Sequence, residues 1–262
     1  MRFSLSHILA PSQTPEQFFA MARALGVTDV EIRNDTPNVV GTIAPAAVKA
    51  AAEAAGVNLL SINALYPFNV WNAERLGQTE KLADYAAACG AKALVMCPLN
   101  EGKAVPQEAV VEALAAIKPV LNARGLDGLV EPLGFPVSSL RRKADAIAAI
   151  QAAGGTGTFK LVHDTFHHHL AGETAFYPEW TGLVHISGVA DPKVAVDDML
   201  DAHRILVDAR DRLGNVAQIK ALIAAGYQGA FSFEPFATEV QVLSDPQTAL
   251  AHSMAWIRAQ VG

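Results

Sequence analysis

Residues 44–65 read APAAVKAAAEAAGVNLLSINAL and contain one complete passage from a helix to a strand. The first half is rich in alanine, the residue with the highest helix propensity, and Gly56 supplies the left-handed backbone with which many helices end. The second half, residues 58–65, is a short run rich in leucine and isoleucine, which is typical of a buried strand. We therefore predict an α-helix that stops at Gly56 and is followed at once by a β-strand.

The same alternation of strand and alanine-rich helix recurs along the whole chain. Strand-like runs occupy residues 2–8, 29–34, 58–65, 93–99, 127–133, 159–166, 182–189 and 229–236. Eight strands that each precede a helix predict an α/β fold, a single (β/α)8 TIM barrel formed by residues 1–262 as one domain. A doubly wound open sheet is the alternative. It usually carries a glycine-rich turn after its first strand, whereas residues 6–15 (SHILAPSQTP) contain no glycine.

The composition argues against several classes of protein. Of the 262 residues, 51% are hydrophobic, which supports a sizeable core and argues against disorder. The formal net charge of −6 argues against binding to nucleic acid or to an anionic membrane, because both depend on a basic surface. No apolar run has the length of a membrane span or of a signal peptide, and the two cysteines form no CxxC motif. We therefore expect a cytoplasmic protein.

Four polar side chains stand near the ends of the last four predicted strands. They are Glu131, Asp164, His185 and Glu234. Burying an unpaired carboxylate in an apolar strand costs several kcal/mol, so each of these residues needs a partner or a cation. Adjacent parallel strands bring their ends together, and three carboxylates with one imidazole suit Mn²⁺, our preferred ion, or Mg²⁺, Co²⁺ or Zn²⁺. Separate ion pairs in the core are the alternative interpretation.

The histidine-rich stretch LVHDTFHHH at residues 161–169 contributes one of these four candidates. Side chains alternate along a strand, so an inward Asp164 directs His163 toward the helices, as a core histidine. Three consecutive histidines cannot all face one ion. We expect His167 to reach into a pocket, and His168 and His169 to be loop or wall residues.

Two irregular connections follow predicted strands, at the end of a barrel where substrates bind. Residues 64–73 bring the aromatic side chains Tyr66, Phe68 and Trp71 to this end, as a candidate substrate wall or as plain surface. Residues 190–214 are long and acidic, and we interpret them as a solvated loop.

The sequence resembles the sugar phosphate isomerase/epimerase superfamily of xylose-isomerase-like TIM barrels, and within it the inosose isomerase branch. The resemblance spans nearly the whole chain. It is carried by the motifs VEIR (30–33), SINALYPFN (61–69), VEPLGFP (130–136), HDTFHHH (163–169), VHISGV (184–189), DRLGN (211–215) and FSFEPF (231–236).

The resemblance implies a role for each candidate residue. One divalent metal ion would be held by Glu131, Asp164, His185 and Glu234. His167 would contact the substrate, and Arg212 would lie near the substrate oxygens. Arg33 and Asn63 would lie in the substrate pocket.

The activity implied by the resemblance is a metal-dependent isomerisation of a small polyol or ketose. A ketone would move along an unphosphorylated cyclic polyol or sugar through an enediolate, with 2-keto-myo-inositol of inositol catabolism as the favoured substrate. Glu131 and Glu234 would exchange the carbon-bound proton, in an order that the sequence leaves open. Apart from the substrate, the expected partner is a second copy of the chain.

Two departures from related enzymes limit the assignment. Ketose 3-epimerases of this superfamily carry a further glutamate and a further arginine at positions that are Val137 and Asp191 here, which argues against that activity. The alternatives are an inosose dehydratase, another sugar isomerase or epimerase acting on hydroxypyruvate or a ketose, and a metal-dependent endonuclease, which is less favoured. A barrel that binds sugar without catalysis is the remaining alternative.

Overall fold

A computed structural model of the chain describes residues 1–37 and 39–262, and its centre is a closed barrel of eight parallel strands. The strands follow one another around the barrel in sequence order, and the eighth pairs with the first. They are β1 (Arg2–Ser6), β2 (Asp29–Arg33), β3 (Asn58–Leu65), β4 (Ala93–Met96), β5 (Asp127–Val130), β6 (Phe159–Asp164), β7 (Thr181–Ile186) and β8 (Ala230–Phe233). The predicted (β/α)8 barrel is confirmed, although several strands end two or three residues earlier than predicted.

Helices cover the outside of the barrel and connect its strands. They are α1 (Pro15–Ala24), α2 (Pro45–Ala55), α3 (Ala73–Cys89), α4 (Gln107–Asn122), α5 (Lys143–Ala152), α6 (Thr165–Leu170), α7 (Asn215–Ala224), α8 (Thr238–Gln241) and α9 (Pro246–Val261). Short 3-10 turns occupy His7–Leu9, Val196–Asp198 and Asp201–His203. Within the described residues, none of the helices combines the length and the apolar character needed to cross a membrane.

The helix boundaries follow the capping residues of the sequence. Thr14 caps α1, where its side chain accepts from the backbone N–H of Gln17 while the Gln17 side chain accepts from the Thr14 N–H. Gly56 ends α2 in the left-handed region, with φ of 65°, as the sequence predicts. Local chemistry therefore determines where these helices begin and end.

Two apolar layers lie on either side of the strand wall. The outward side chains, such as Val30 and Ile32 of β2, pack with the helices in the main core. Six inward side chains of the five strands β4 to β8 form a smaller cluster in the barrel, made of Ala93, Val95, Leu129, Val162, Leu183 and Ala230. Two residues beyond Val162 and Leu183 are Asp164 and His185, which therefore face inward at the carboxyl end of the barrel.

The histidine run adopts a structure that differs in part from the prediction. His163 faces outward as predicted, and its Nε2 lies 2.9 Å from Oε1 of Gln218. The three consecutive histidines lie in the short helix α6 rather than in a loop. His168 is buried behind the barrel wall, where Nζ of Lys143 lies 2.7 Å from its Nδ1, because one helical turn directs neighbouring residues to different sides.

Candidate functional site

Four buried side chains converge at the carboxyl end of the barrel. One potential ligand atom from each of Glu131, Asp164, His185 and Glu234 lies within 4.8 Å of all the others. Nδ1 of His185 is 3.1 Å from Glu131 Oε1, 3.1 Å from Glu234 Oε2 and 3.9 Å from Asp164 Oδ2. The residues that the sequence singled out as metal ligands are thus brought together by four consecutive strands.

Backbone hydrogen bonds fix each of the three acidic residues at the end of its strand. Glu131 and Glu234 directly follow β5 and β8, and their N–H groups donate to carbonyls of the neighbouring strands at 3.0 and 2.9 Å. Asp164 ends β6, and its Oδ1 caps α6 by accepting from the N–H groups of Phe166 and His167 at 2.7 and 3.2 Å. This cap leaves Oδ2 of Asp164 directed at the cluster.

The chemistry of this donor set fits a divalent cation. Three carboxylates removed from water and held this close repel one another, and such burial is tolerated when positive charge balances it. Three oxygens and one imidazole nitrogen match the preferences of Mn²⁺, Co²⁺ and Zn²⁺, and the oxygens also suit Mg²⁺. Burial works to lower the pKa of His185, yet Glu234, Glu31 and Glu131 outweigh it and hold that pKa well above its ordinary value. The cluster therefore attracts positive charge.

Two buried arginines already supply part of the balancing charge. Nη1 of Arg33 donates to Glu234 Oε1 at 2.7 Å. Nη2 of Arg204 donates to Asp164 Oδ2 at 2.6 Å and to Glu234 Oε2 at 3.1 Å. Both guanidinium groups also lie over the ring of Phe236, with the carbon of Arg33 5.0 Å and that of Arg204 4.7 Å from the ring centroid. Both arginines are thereby fixed beside the candidate metal ligands.

The two glutamates of the cluster have different surroundings. Glu234 accepts from Arg33, from Arg204 and from the Asn63 amide, which lies 2.9 Å from Oε1. Burial works to raise the pKa of Glu234, but His185 and the two arginines hold it well below its ordinary value.

The other glutamate, Glu131, has a lighter set of contacts. Besides His185, it is contacted by the Cys97 thiol, whose Sγ lies 3.5 Å from Oε2. Burial and the nearby Glu131 and Glu234 raise the pKa of this thiol well above its ordinary value, so it stays protonated. Glu131 is therefore the less strongly bound of the two candidate bases.

A cavity of about 450 Å³ opens above the cluster and is lined by both glutamates. Its wall is rich in hydrogen-bonding side chains: Arg33, Asn34, Asn63, Tyr66, Asn100, His167 and Arg204. The aromatic ring of Phe135 contributes an apolar side and packs edge-on against His167, with ring centroids 5.1 Å apart. A larger groove of about 750 Å³ lies elsewhere, against α9, and none of the four candidate ligands lines it.

The remaining predicted site residues divide into two groups. Arg33, Asn63, Tyr66 and His167 line the cavity above the cluster. Phe68 and Trp71 do not: Phe68 is fully buried in the main core, and Trp71 packs against that core. The chain turns inward after Tyr66, so the aromatic loop contributes one wall residue instead of three.

The expected position of Arg212 near the substrate is corrected by the structure. Nη1 of Arg212 donates to the backbone carbonyls of Asp191 and Val194 within its own loop, and Arg212 does not line the cavity. Arg204 lies over the cluster instead. The loop folds back so that Ile205 pairs with Gly188, and this pairing directs Arg204, the residue before Ile205, toward the cluster.

Sequence reasoning therefore missed Arg204 and also Glu31, a buried carboxylate on β2. Arg204 lies in the long connection that was interpreted as a solvated acidic loop, and no local pattern marks it. Glu31 could have been found from the sequence. Side chains two residues apart on a strand face the same side, so the predicted pocket residue Arg33 places Glu31 inside the barrel as well.

Comparison with known proteins identifies the family. Residues 19–260 match the family model described as a xylose isomerase-like TIM barrel. A xylose isomerase domain containing protein from Salmonella typhimurium LT2 is 36% identical, with a TM-score of 0.92 over 99% of this chain and 97% of that one. A comparison with curated protein sequences gives no match.

More distant solved structures share the fold. The IOLI protein with a bound zinc atom is 18% identical, with a TM-score of 0.87 over 100% of this chain and 98% of that one. D-psicose 3-epimerase of Clostridium cellulolyticum H10, solved with D-tagatose, is 16% identical, with a TM-score of 0.75 over 100% and 99% of the two chains. Because the family model and the Salmonella protein both match nearly the whole chain, the protein belongs to the xylose isomerase-like TIM barrel family.

Proposed function

We propose that the protein is a divalent-metal-dependent isomerase that moves a ketone along an unphosphorylated cyclic polyol or sugar through an enediolate. The preferred substrate is 2-keto-myo-inositol, an inosose of inositol catabolism. The observation that carries the proposal is the cluster of Glu131, Asp164, His185 and Glu234 at the base of a polar cavity. This is the arrangement needed to hold an α-hydroxyketone by its two oxygens beside a base.

The cavity supports a neutral, polyhydroxylated substrate. Its amide, phenol and imidazole groups can each exchange hydrogen bonds with hydroxyls. Its guanidinium groups are already paired, Arg33 with Glu234 and Asp35, and Arg204 with Asp164 and Asp201. A phosphate group would need a cation that is free of such partners.

In the proposed reaction, a bound divalent ion would act as a Lewis acid toward the ketone and its neighbouring hydroxyl. Glu131 removes the proton from the carbinol carbon, since its carboxylate carries fewer competing donors than that of Glu234. Glu234, held by Arg33 and Asn63, stays ionised and anchors the centre. Return of that proton to the former carbonyl carbon, together with transfer of the hydroxyl proton to the former ketone oxygen, completes the isomerisation.

Two cavity residues assist this proton transfer. His167 contacts a substrate hydroxyl from the cavity wall, and Arg204 offsets the charge of the enediolate, a role that the sequence had assigned to Arg212. Tyr66 lies on the wall toward solvent and limits the access of water.

Manganese remains our preferred ion, with Zn²⁺, Co²⁺ and Mg²⁺ as alternatives. The likeness to a zinc-containing structure supports a divalent centre on this fold. The cytoplasmic location and the pairing of copies stay predictions. Both cysteines, Cys89 and Cys97, are free thiols, in agreement with a reducing compartment.

The test is proton exchange into a panel of ketoinositols in D₂O, followed by NMR and mass spectrometry with the Mn²⁺-loaded protein. We expect deuterium at the carbon next to the ketone and the appearance of an isomeric ketoinositol. A product that is lighter than the substrate by one water would show that the protein is a dehydratase and not an isomerase. Absence of exchange in every ketoinositol, with metal bound, would contradict the proposal.

A further inference from the structure

Glu31 has a buried carboxylate and is not one of the four candidate metal ligands. It lies on β2 with its side chain inside the barrel, and it is fully shielded from solvent. Removing a carboxylate from water costs several kcal/mol unless its oxygens are bound by donors. Its position therefore calls for an explanation within the site.

Three donors from three strands converge on Glu31. The Ser61 hydroxyl donates to Oε2 at 2.6 Å, and the Ser232 hydroxyl donates to Oε1. Nε2 of His185 lies 3.2 Å from Oε1 and 3.3 Å from Oε2. The two serines thus hold the carboxylate in place, and its oxygens face one edge of the His185 ring.

The opposite edge of the same ring faces the candidate metal ligands. Nδ1 of His185 is the atom that lies 3.1 Å from both Glu131 and Glu234. A neutral imidazole carries one proton, so it can present a lone pair at one nitrogen while donating from the other. When an ion at the centre takes the lone pair of Nδ1, the single proton of the ring belongs on Nε2, next to the Glu31 carboxylate.

We propose that Glu31 is a positioning residue for the metal centre: it fixes His185 as the Nε2–H tautomer and directs Nδ1 to the ion. A carboxylate that accepts from the distal nitrogen of a ligating histidine orients the ring and makes it a stronger ligand. The inference rests on the metal centre of the proposed function, and it is independent of the substrate and of the reaction.

The first test is the metal affinity of Glu31→Gln, compared with wild type by competition with a chromophoric chelator. Glutamine keeps the size of the side chain and removes its charge. We expect metal binding about 10- to 100-fold weaker, the usual effect of losing such a partner. Ser61→Ala is the matched control, because it removes one hydroxyl and leaves the contact between Glu31 and His185. We expect its metal affinity to change less than about 3-fold, since the contact between Glu31 and His185, which orients the ligating ring, is retained.

The second test reports the tautomer directly. Long-range ¹H–¹⁵N NMR of the zinc-loaded wild-type protein distinguishes a protonated ring nitrogen from a metal-bound one. We expect the His185 proton on Nε2, and in a folded Glu31→Gln protein we expect its resonance to move upfield as the carboxylate acceptor is lost. His185→Gln assigns the signal.

The outcomes separate the positioning role from the proposed activity. A proton on Nδ1 in the wild-type protein would overturn the inference, and so would an unchanged affinity in Glu31→Gln. If the wild-type protein binds metal with the Nε2–H tautomer and Glu31→Gln binds it more weakly, the inference holds even where no ketoinositol is isomerised. In that case only the proposed activity would be wrong.

Discussion

At the residue scale, the two glutamates of the cluster differ in the donors they already bind. Glu234 accepts from two arginines and one amide, whereas the additional contact of Glu131 is the thiol of Cys97. We predict that Cys97→Ser keeps deuterium exchange within about 10-fold of wild type, while Glu131→Gln lowers it by about 100- to 10,000-fold, the range for a lost general base. The rate of deuterium exchange at saturating metal tests this. A Glu131→Gln protein that exchanges as fast as wild type would show that Glu131 does not transfer the proton.

Two arginines of the same loop provide a second comparison. Arg204 is buried and donates to Asp164 and Glu234, whereas Arg212 donates to carbonyls of its own loop. We predict that Arg204→Met lowers turnover by about 100-fold or more, since preorganised positive charge beside a developing anion is worth several kcal/mol. Arg212→Met should change it by no more than about 3-fold, because it touches no reacting group. Steady-state kinetics decide, and the reverse order of effects would restore Arg212 to the site.

At the element scale, the position of α6 depends on the absence of a side chain at Gly134. A Cβ built there would lie 2.1 Å from the His167 carbonyl oxygen and 2.9 Å from the Ala171 nitrogen. Both are backbone atoms of the α6 segment, which carries the cavity residue His167 and is capped by Asp164. The loop after β5 and the helix after β6 therefore pack backbone to backbone.

We predict that Gly134→Ala destabilises the fold by about 1–3 kcal/mol, as overpacking does, and lowers turnover by displacing His167. Gly77→Ala is the control, because Gly77 lies within α3 and a Cβ there meets nothing within 4 Å. Alanine should stabilise that helix by up to about 1 kcal/mol. Urea denaturation measures both changes, and equal stabilities of the two variants would contradict the close packing at Gly134.

Local patterns predicted most of the elements and part of the site. The strands and the Gly56 helix end follow from periodicity and capping, and the four candidate ligands follow from polar residues at the ends of apolar strands. Arg204 could not be predicted in this way, because the pairing of Gly188 with Ile205 that brings it inward joins residues far apart in sequence. Phe68 and Trp71 were misplaced because a loop's position at the barrel mouth does not tell which way its side chains turn.

At the scale of the whole molecule, buried histidines make stability depend on pH. Burial is the main cause that lowers the pKa of His168 from 6.5 to about 3, and the nearby Lys143 adds to the effect. Since the unfolded chain binds the proton more readily, the stabilisation is present above pH 6.5 and is lost as the pH falls toward 3.

We therefore predict that the free energy of unfolding decreases between pH 7 and pH 5. His168 contributes about 1 kcal/mol per pH unit below about pH 6. The variant His168→Gln should show a shallower decrease, even where it is less stable at pH 7. Urea titrations at each pH give the slopes, and identical slopes in the two proteins would rule out this contribution of His168.

The activity proposed for the whole molecule depends on one metal ion held by side chains from four strands. Asp164→Asn tests this while preserving the cap of α6, because asparagine also caps helices well and keeps an oxygen for the α6 N–H groups. Its loss of charge removes a metal ligand of the centre.

The decisive measurement is the metal content of the purified protein after equilibration with Mn²⁺ and gel filtration, read by inductively coupled plasma mass spectrometry. We expect one ion per chain in the wild-type protein and less than about a tenth of an ion in Asp164→Asn, since a lost carboxylate ligand weakens binding severely. A wild-type protein without metal, or an Asp164→Asn protein that retains a full equivalent, would contradict the metal centre.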